Sequence, residues 1–387
     1  MKKKQEILVQ MIVICLFTVL ACTTSLGASY SKKSIIDSRT KDFSSFKDMK
    51  LGKDEKLDIV YMWVNGSDPD FIREIQKYRP SSEESNPQRF QDNYELFFSL
   101  RSLHKYVPFV NNIYIVTNGQ VPFWLNTSAP NIKVVPHKDI FTDPTVLPVF
   151  NSQAIEGNIH NIANLTDYYI LLNDDMFFRG KNGTPLGYHD FFTPEGKMKV
   201  YFEVYPIPNW LYYRTHEKFL KYTIDVVNGV VPNPRREVPY TLHTPRIYNK
   251  HWTNFFLSLS PEEHAKVSAR RFRKKDNIDV ILYLSLIMDR FSEAYIPISE
   301  TNYMDYDEVA LRNSVDYETD LFKMRKTVDE WPTNGFTIQD YVDYDKPLDT
   351  IIRGRKVMRM FMKLEFSEPS PWENKDFTFS AEFWEGQ

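Results

Sequence analysis

The chain has 387 residues, of which 42% are hydrophobic, 15% aromatic and 26% charged, with a formal net charge of −3. That length supports one large or two modest domains with a sizeable core, and the near-neutral balance leaves no global basic field for nucleic acid. With 13 glycines, 23 prolines, no low-complexity tract and no internal repeat, collagen-like, solenoid and disordered classes are set aside.

The first six residues, MKKKQE, form a basic n-region, and Ile7 to Cys22 is almost entirely apolar. This run is shorter than the roughly 20 residues of a spanning helix, and small residues follow at Ala21, Ser25, Gly27 and Ala28. A cleaved signal peptide over 1–28 is the first reading. An uncleaved signal anchor comes next and a lipoprotein site at Cys22 third. No later segment is long and apolar enough to span a bilayer. Both cysteines, Cys15 and Cys22, lie in this stretch, so a cleaved chain has no disulfide framework and no cysteine metal site. Four acceptor sequons, at Asn65, Asn126, Asn164 and Asn182, are compatible with a eukaryotic secretory route.

Residues 29–54, rich in Ser, Lys and Asp, read as a linker or stem. Residues 55–375 read as the catalytic domain and 376–387 as a tail. LDIVYMWV (57–64) is a short apolar, β-branched run of the kind that forms a buried strand, closed by the turn signal NGSDPD. FIREIQKY follows as a helix. DNYELFFSLRSLHKY (92–106) places Leu96, Phe97, Leu100 and Leu103 at helical spacing, and Asp92 with Glu95 has the spacing of a capping box. NIYIVTNG and NIKVVPH are further strands. QAIEGNIHNIANL has a helical pattern, and YYILLNDD is a fourth strand. MKVYFEVYPIP reads as a strand, NIDVILYLSLIMDRF and TIIRGRKVMRMFMKLEF as helices, and SEPSPWENKDF as extended. Strands alternating with helices predict an α/β fold: a Rossmann-like, mostly parallel sheet flanked by helices, with an α-rich C-terminal subdomain packed on it.

In such sheets ligands bind beyond the carboxyl ends of the strands. Three strands end in polar turns there: Asn65/Asp68, Asn118/Gln120 and Asn173/Asp174/Asp175. Asn173-Asp174-Asp175 suits a hard divalent cation, Mg²⁺ or Mn²⁺, which takes one or two carboxylates plus substrate phosphates. The plain structural alternative is a capped turn, and position alone leaves the two even. Asn65, Gly66 and Asp68 could cradle a base, ribose or phosphate, or simply make a type I turn. Asp92 and Glu95 could only cap, and Arg101 could only pair with Glu95 or Glu156. Glu156 and His160, four apart, share one face of a helix and could be a solvated ion pair. His243 and Arg246, and the run Arg270, Arg271, Arg273, Lys274 and Lys275, are anion-binding candidates, with a solvated basic loop as the alternative for most of the run. No HExxH, GxSxG, GxGxxG or P-loop is present, which lowers metalloprotease, serine hydrolase, dinucleotide and NTPase readings.

Read together, DIVYMWVNGSDP (58–69), RFQDNYELFFSLRSLHKYVPFVNNIYIVTNGQVPFWL, VPHKDIF, LPVFNSQAIEGNIHNI and YYILLNDDMFF resemble the first two conserved regions of the Stealth family of hexose-1-phosphate transferases. That family includes lysosomal-enzyme N-acetylglucosamine-1-phosphotransferase and bacterial capsule phosphotransferases. HTPRIYNK and FRKKDNIDV resemble its third region, with Asn277 where the family has Asp. EPSPWE (368–373) resembles the fourth, with Gln339-Asp340 in place of Asn-Asp.

The resemblance implies that an acceptor-sugar hydroxyl attacks the β-phosphorus of a UDP-sugar, with UDP-GlcNAc the expected donor. UMP leaves and a glycan or glycoprotein acceptor gains a phosphodiester. It implies Asp174, Asp175 and Asp340 for the metal. Arg273 and His243 face the phosphates, and His243, Glu156 or Asp175 is the base. Asn65, Gly66, Asp68, Gln120 and Asn173 hold the donor, and Arg89, Asp92, Glu95 and Arg101 shape the site. The expected setting is the secretory pathway, in the Golgi lumen or membrane, or secretion. Membrane contact is expected only through an N-terminal anchor, and a homodimer is the oligomer considered. A metal-dependent glycosyltransferase releasing UDP, or an inactive glycan-binding relative, is the competing expectation.

Overall fold

The computed structural model describes residues 56–79, 90–180, 183–206, 215–230, 237–241, 243, 245–274, 276–291, 295–299, 321–322, 324–326, 335–338 and 347–384. The N-terminal targeting and stem segments, Arg89, Asn182, Lys275, Gln339 and Asp340 lie outside them. Among the described residues no helix is long and apolar enough to cross a membrane.

Ten strands are present among the described residues: β1 (Leu57–Met62), β2 (Val110–Thr117), β3 (Ile132–Pro136), β4 (Tyr168–Asn173), β5 (Met176–Phe178), β6 (Met198–Pro206), β7 (Glu237–Thr241), β8 (Arg246–Asn249), β9 (Tyr295–Ser299) and β10 (Gly335–Thr337). The main sheet has the order β3-β2-β1-β4-β8. β1 pairs in parallel with β2 and β4, and β2 with β3, while β8 closes the edge antiparallel to β4. The fold is therefore α/β with a mostly parallel sheet flanked by helices. Strands buried on both faces must be apolar at every position rather than alternately. That is why β1 is buried throughout and β4 is buried up to Asn173.

Register decides where the chemistry collects. Met62 of β1 lies beside Val116 of β2 and Asn173 of β4, Thr117 lies beside Pro136 of β3, and Leu171 lies beside Arg246. The carboxyl ends of four parallel strands and the amino end of β8 thus share one edge.

The opposite edge is fastened by Asp58, which is fully buried. Its Oδ1 accepts from the Asn112 amide at 3.0 Å and from the side-chain amides of Asn111 and Asn112, and its Oδ2 accepts from the Thr166 amide at 2.8 Å. One carboxylate ties the starts of β1 and β2 to the loop entering β4. Buried donors left without such a partner would each cost about 1–3 kcal/mol.

The Glu95–Tyr106 helix lies under the site edge, and its Ser102 hydroxyl accepts from the Phe178 amide at 3.0 Å. It begins two residues later than the capping-box reading expected. Tyr94, at φ 68°, is its N-cap, and Asp92 instead accepts from the Tyr94 amide at 2.9 Å. The QAIEGNIHNIANL pattern is not one helix. A Ser152–Glu156 helix stops at Gly157, and a 3₁₀ turn covers Ile159–Asn161. Glu156 and His160 therefore do not share a helix face.

The C-terminal half carries the Thr215–Val230, Val280–Phe291 and Leu348–Glu365 helices together with a β7-β6-β9 sheet and β10, which pairs with β5. Residues 376–384 do not trail away. A short Ala381–Trp384 helix buries Phe383, and Phe379 stacks on Phe98 with centroids 5.7 Å apart.

Candidate active site

Asn173, Asp174 and Asp175 leave the sheet at the end of β4, and β5 turns back at once to pair with β10. The Ile338 amide donates to the Asp175 carbonyl at 3.0 Å, which fixes the turn. The Thr337 hydroxyl donates to the His243 carbonyl, so the adjacent β10 residue holds the His243 backbone beside the turn. Around Asp174 stand three more carboxylates, Asp175, Glu95 and Asp92. Removal from solvent, followed by their combined repulsion, pushes the Asp174 carboxyl well above the usual range. Asp92 is pushed up to about 6, chiefly by its removal from solvent and against the opposing pull of Arg359. Glu95 takes the Asn93 amide at 2.5 Å and the Asn93 side chain at 3.0 Å.

His243 sits on the far side of the turn. Its Nε2 is 3.6 Å from Asp175 Oδ2 and 3.4 Å from Asn173 Nδ2, and its Nδ1 is 3.2 Å from a guanidinium nitrogen of Arg246. Beyond Arg246 lies a second buried group, Glu156, pushed up to about 8 first by burial and then by Asp279, with Arg246 and Arg273 opposing. Its Oε2 has no hydrogen-bond partner. Asp279 joins this group to the fold. Its Oδ1 caps the Val280–Phe291 helix through the Leu282 amide at 2.9 Å, and its Oδ2 lies 3.3 Å from Gln153 Nε2. Arg273 is exposed and donates to Ser152 Oγ at 2.5 Å. Arg270 pairs with Asp276 at 3.2 Å and Arg271 lies 4.7 Å over the Tyr78 ring, so these two are held structurally.

The donor-side residues are tightly built. Gln120 spans the ends of β1 and β2, with Oε1 accepting from the Asn65 amide at 2.9 Å and Nε2 donating to the Asn65 carbonyl at 3.0 Å. Gly66 donates to the Phe90 carbonyl at 2.6 Å, and a Cβ on Gly66 would lie 2.2 Å from that oxygen. Only glycine permits this approach, and it holds the Phe90–Asp92 stretch of chain against the β1 turn.

Two residues assigned to the substrate have protein partners. Asp68 is the N-cap of the Pro69–Tyr78 helix, accepting from the Asp70 and Phe71 amides. Arg101 pairs with neither Glu95 nor Glu156. Its fork takes both Glu373 oxygens at 2.8 and 2.7 Å, and a further nitrogen reaches the Phe366 carbonyl at 3.1 Å. Arg101 is a clamp for the EPSPWE segment. The sequence pattern did not single out Arg359. It is buried, donates to the Phe383 carbonyl at 2.8 Å and opposes the charge of Asp92. The basic face of its helix was the available signal.

In donor chemistry these residues suit a hard divalent cation: four carboxylates carry an excess of negative charge, and Asp175 Oδ1 is buried without a partner. Oxygen-only donors of this kind suit Mg²⁺ or Mn²⁺. Among the described residues no group of three or more His, Cys, Asp or Glu side chains is placed to hold a metal ion.

Comparison with known proteins shows that these residues are similar to two conserved regions of one family. Residues 55–83 match Stealth protein CR1, conserved region 1, and residues 89–200 match Stealth protein CR2, conserved region 2. The chain is 28% identical over 339 residues to an exopolysaccharide phosphotransferase of Streptomyces coelicolor, covering 82% of this chain and 57% of the relative. It is 42% identical over 144 residues to a capsular polysaccharide phosphotransferase of Streptococcus thermophilus, covering 36% of this chain and 58% of the relative. Over 127 residues it is 46% identical to the human N-acetylglucosamine-1-phosphotransferase subunits alpha/beta, covering 33% of this chain and 10% of that protein. The chain spans about half the length of the Streptomyces and Streptococcus relatives. Among solved structures, an active-site mutant of LgtC aligns with a TM-score of 0.41 at 12% identity, covering 86% of this chain and 100% of that one. The two matched regions run in order through β1 to β5 and carry Asn65, Asp92, Glu95, Glu156, Asp174 and Asp175, so over residues 55–83 and 89–200 the chain is similar to the Stealth proteins.

Proposed function

We propose that the protein transfers a sugar-1-phosphate from a UDP-sugar, UDP-GlcNAc in the first instance, to a hydroxyl of a glycan or glycoprotein acceptor. The nucleotide leaves as UMP and a phosphodiester is formed. The observation that carries this reading is the convergence of Asp174, Asp175, Asp92 and Glu95 with His243 and Arg246 at one sheet edge, inside a chain similar to named phosphotransferases.

The chemistry needs little covalent work from the protein: positioning, in-line geometry and neutralisation of charge on the diphosphate. Asp174 and Asp175 hold a divalent cation, with Asp340 as a third contributor. Bound there, the cation supplies positive charge against the diphosphate oxygens. Asn65, Gly66 and Gln120 shape the donor side, and exposed Arg273 offers its fork to phosphate. Glu156, pushed up to about 8, holds its proton at neutral pH and so is not the base in this state. We assign Asp175, whose Oδ1 lacks a partner, to receive the acceptor's proton. The secretory route proposed from the N-terminal segment follows the same reading, since it brings the site to glycan acceptors.

The test is to incubate purified protein with UDP-GlcNAc, Mg²⁺ or Mn²⁺ and a mannoside acceptor, and to identify the nucleotide released. UMP is expected. Release of UDP would replace this reading with a glycosyltransferase, and saturable glycan binding without turnover would replace it with a binding protein.

A further inference from the structure

His243 faces two donors on opposite sides of its ring. An Arg246 guanidinium nitrogen lies 3.2 Å from Nδ1, and Asn173 Nδ2 lies 3.4 Å from Nε2. A neutral imidazole has one lone pair and one N–H, and an imidazolium has no lone pair at all. Both donors therefore cannot be satisfied together, and one must yield.

Arg246 cannot yield. A guanidinium only donates, and none of its nitrogens can turn into an acceptor. Its residue is buried and fixed in β8 beside Leu171. Asn173 can yield, because rotating its amide by half a turn exchanges nitrogen for oxygen at nearly unchanged shape. One observation supports a proton on Nε2: Asp175 Oδ2, an acceptor, lies 3.6 Å from it. The rotation turns the Asn173 carbonyl oxygen towards that N–H and puts the amide nitrogen where Oδ1 was buried without a partner.

We propose that Arg246 is a positioning residue that fixes His243 as the Nε2–H tautomer, with Asn173 turned so that its carbonyl oxygen accepts from that N–H. His243 then enters the site as a hydrogen-bond donor. When the donor substrate binds, a phosphoryl oxygen shares that N–H with the Asn173 carbonyl oxygen, and the ring takes no proton from the acceptor. The Thr337 contact to the His243 carbonyl holds the backbone, and Arg246 sets the ring. The consequence for catalysis rests on the phosphotransferase reading above, whereas the tautomer itself does not.

The experiment is nitrogen NMR of the full chain labelled at histidine, with His243 assigned by loss of its signals in His243→Gln. The expected spectrum shows Nδ1 as the unprotonated ring nitrogen and Nε2 as the protonated one. Arg246→Lys, which keeps a cationic donor, should preserve that pattern. Arg246→Met should lose it and lower kcat about 10–100-fold with KM for the UDP-sugar little changed, as removal of an orienting partner typically does. A protonated Nδ1 in the wild-type protein overturns the inference whatever the activity. So does an unchanged tautomer in a folded Arg246→Met. Should Arg246→Met fail to fold, the wild-type and Arg246→Lys spectra still decide. The correct tautomer in a protein that releases no UMP would sink the phosphotransferase reading and leave the assignment of the ring intact.

Discussion

The acidic turn makes a prediction about stability that does not depend on finding the substrate. The perturbation is Asp174→Asn, measured with and without divalent cation. Asp174 is held well above the normal carboxyl range by loss of solvent and by Asp175, Glu95 and Asp92, and Asp92 is pushed up to about 6. A carboxyl whose folded pKa is raised favours the folded state only below its unfolded pKa. Its contribution is lost as pH climbs from there towards the folded value. For Asp92 that window runs from 3.8 to about 6, and the loss at pH 7 is at most about 3 kcal/mol. For Asp174 the window opens at the same point and runs upward from it.

The metal-free protein therefore carries an electrostatic cost at neutral pH that Asp174→Asn relieves. The variant should be more stable than wild type at pH 7.5, with the difference shrinking towards zero near pH 4. Mg²⁺ or Mn²⁺ at about a hundred times its dissociation constant should stabilise wild type by about 2.7 kcal/mol and leave the variant almost unmoved. At roughly 2 °C per kcal/mol for a chain of this size, thermal unfolding would register about 5 °C. An Asp174→Asn protein that is less stable than metal-free wild type at pH 7.5 would refute the electrostatic reasoning. One that keeps the full cation-induced rise in Tm would refute the placement of the cation.

Four further outcomes are expected. Asp175→Asn should abolish turnover while leaving circular dichroism unchanged and the metal-free unfolding midpoint at pH 7.5 no lower than that of wild type, and full activity would remove Asp175 from the site. Asp58→Ala should lower stability in urea by about 3–5 kcal/mol, because several buried donors lose one acceptor, while activity per folded molecule stays near wild type. Gly66→Ala should cost about 1–3 kcal/mol and raise KM for the UDP-sugar, since the new Cβ would sit 2.2 Å from the Phe90 carbonyl oxygen and force that backbone away. Arg101→Ala should destabilise by about 3–5 kcal/mol and free the EPSPWE segment to limited proteolysis, as it leaves partly buried Glu373 without its bidentate partner. Arg101→Lys should restore little of this, because an ammonium cannot match both oxygens.

The sequence by itself determined a good deal. Continuous apolar runs at Leu57–Met62 and Tyr168–Leu172 specify strands buried on both faces, and alternation with helices specifies a parallel sheet, because only that architecture covers both faces. Once the sheet is parallel, the strand ends bring Asn65, Gln120 and Asn173–Asp175 to one edge, so these residues could be named as one site from the sequence alone. What the pattern could not convey was partnership across long separations. Arg101 meets Glu373 from 272 positions away, and Asp58 meets Thr166 from 108. Local spacing suggested nearer partners for Arg101 and offered none for Asp58. The helix spanning 153–165 failed for a related reason. Its periodicity is real, but Gly157 ends the first turns and leaves Glu156 facing Asp279 and Arg246 instead of His160. The environment of each ionisable group is likewise a tertiary property. Asp174 and Asp175 are adjacent and chemically identical, yet the surrounding carboxylates raise Asp174 while His243 stands beside Asp175. Only the packed sheet edge decides that division, because charge and solvent act through space and not along the chain.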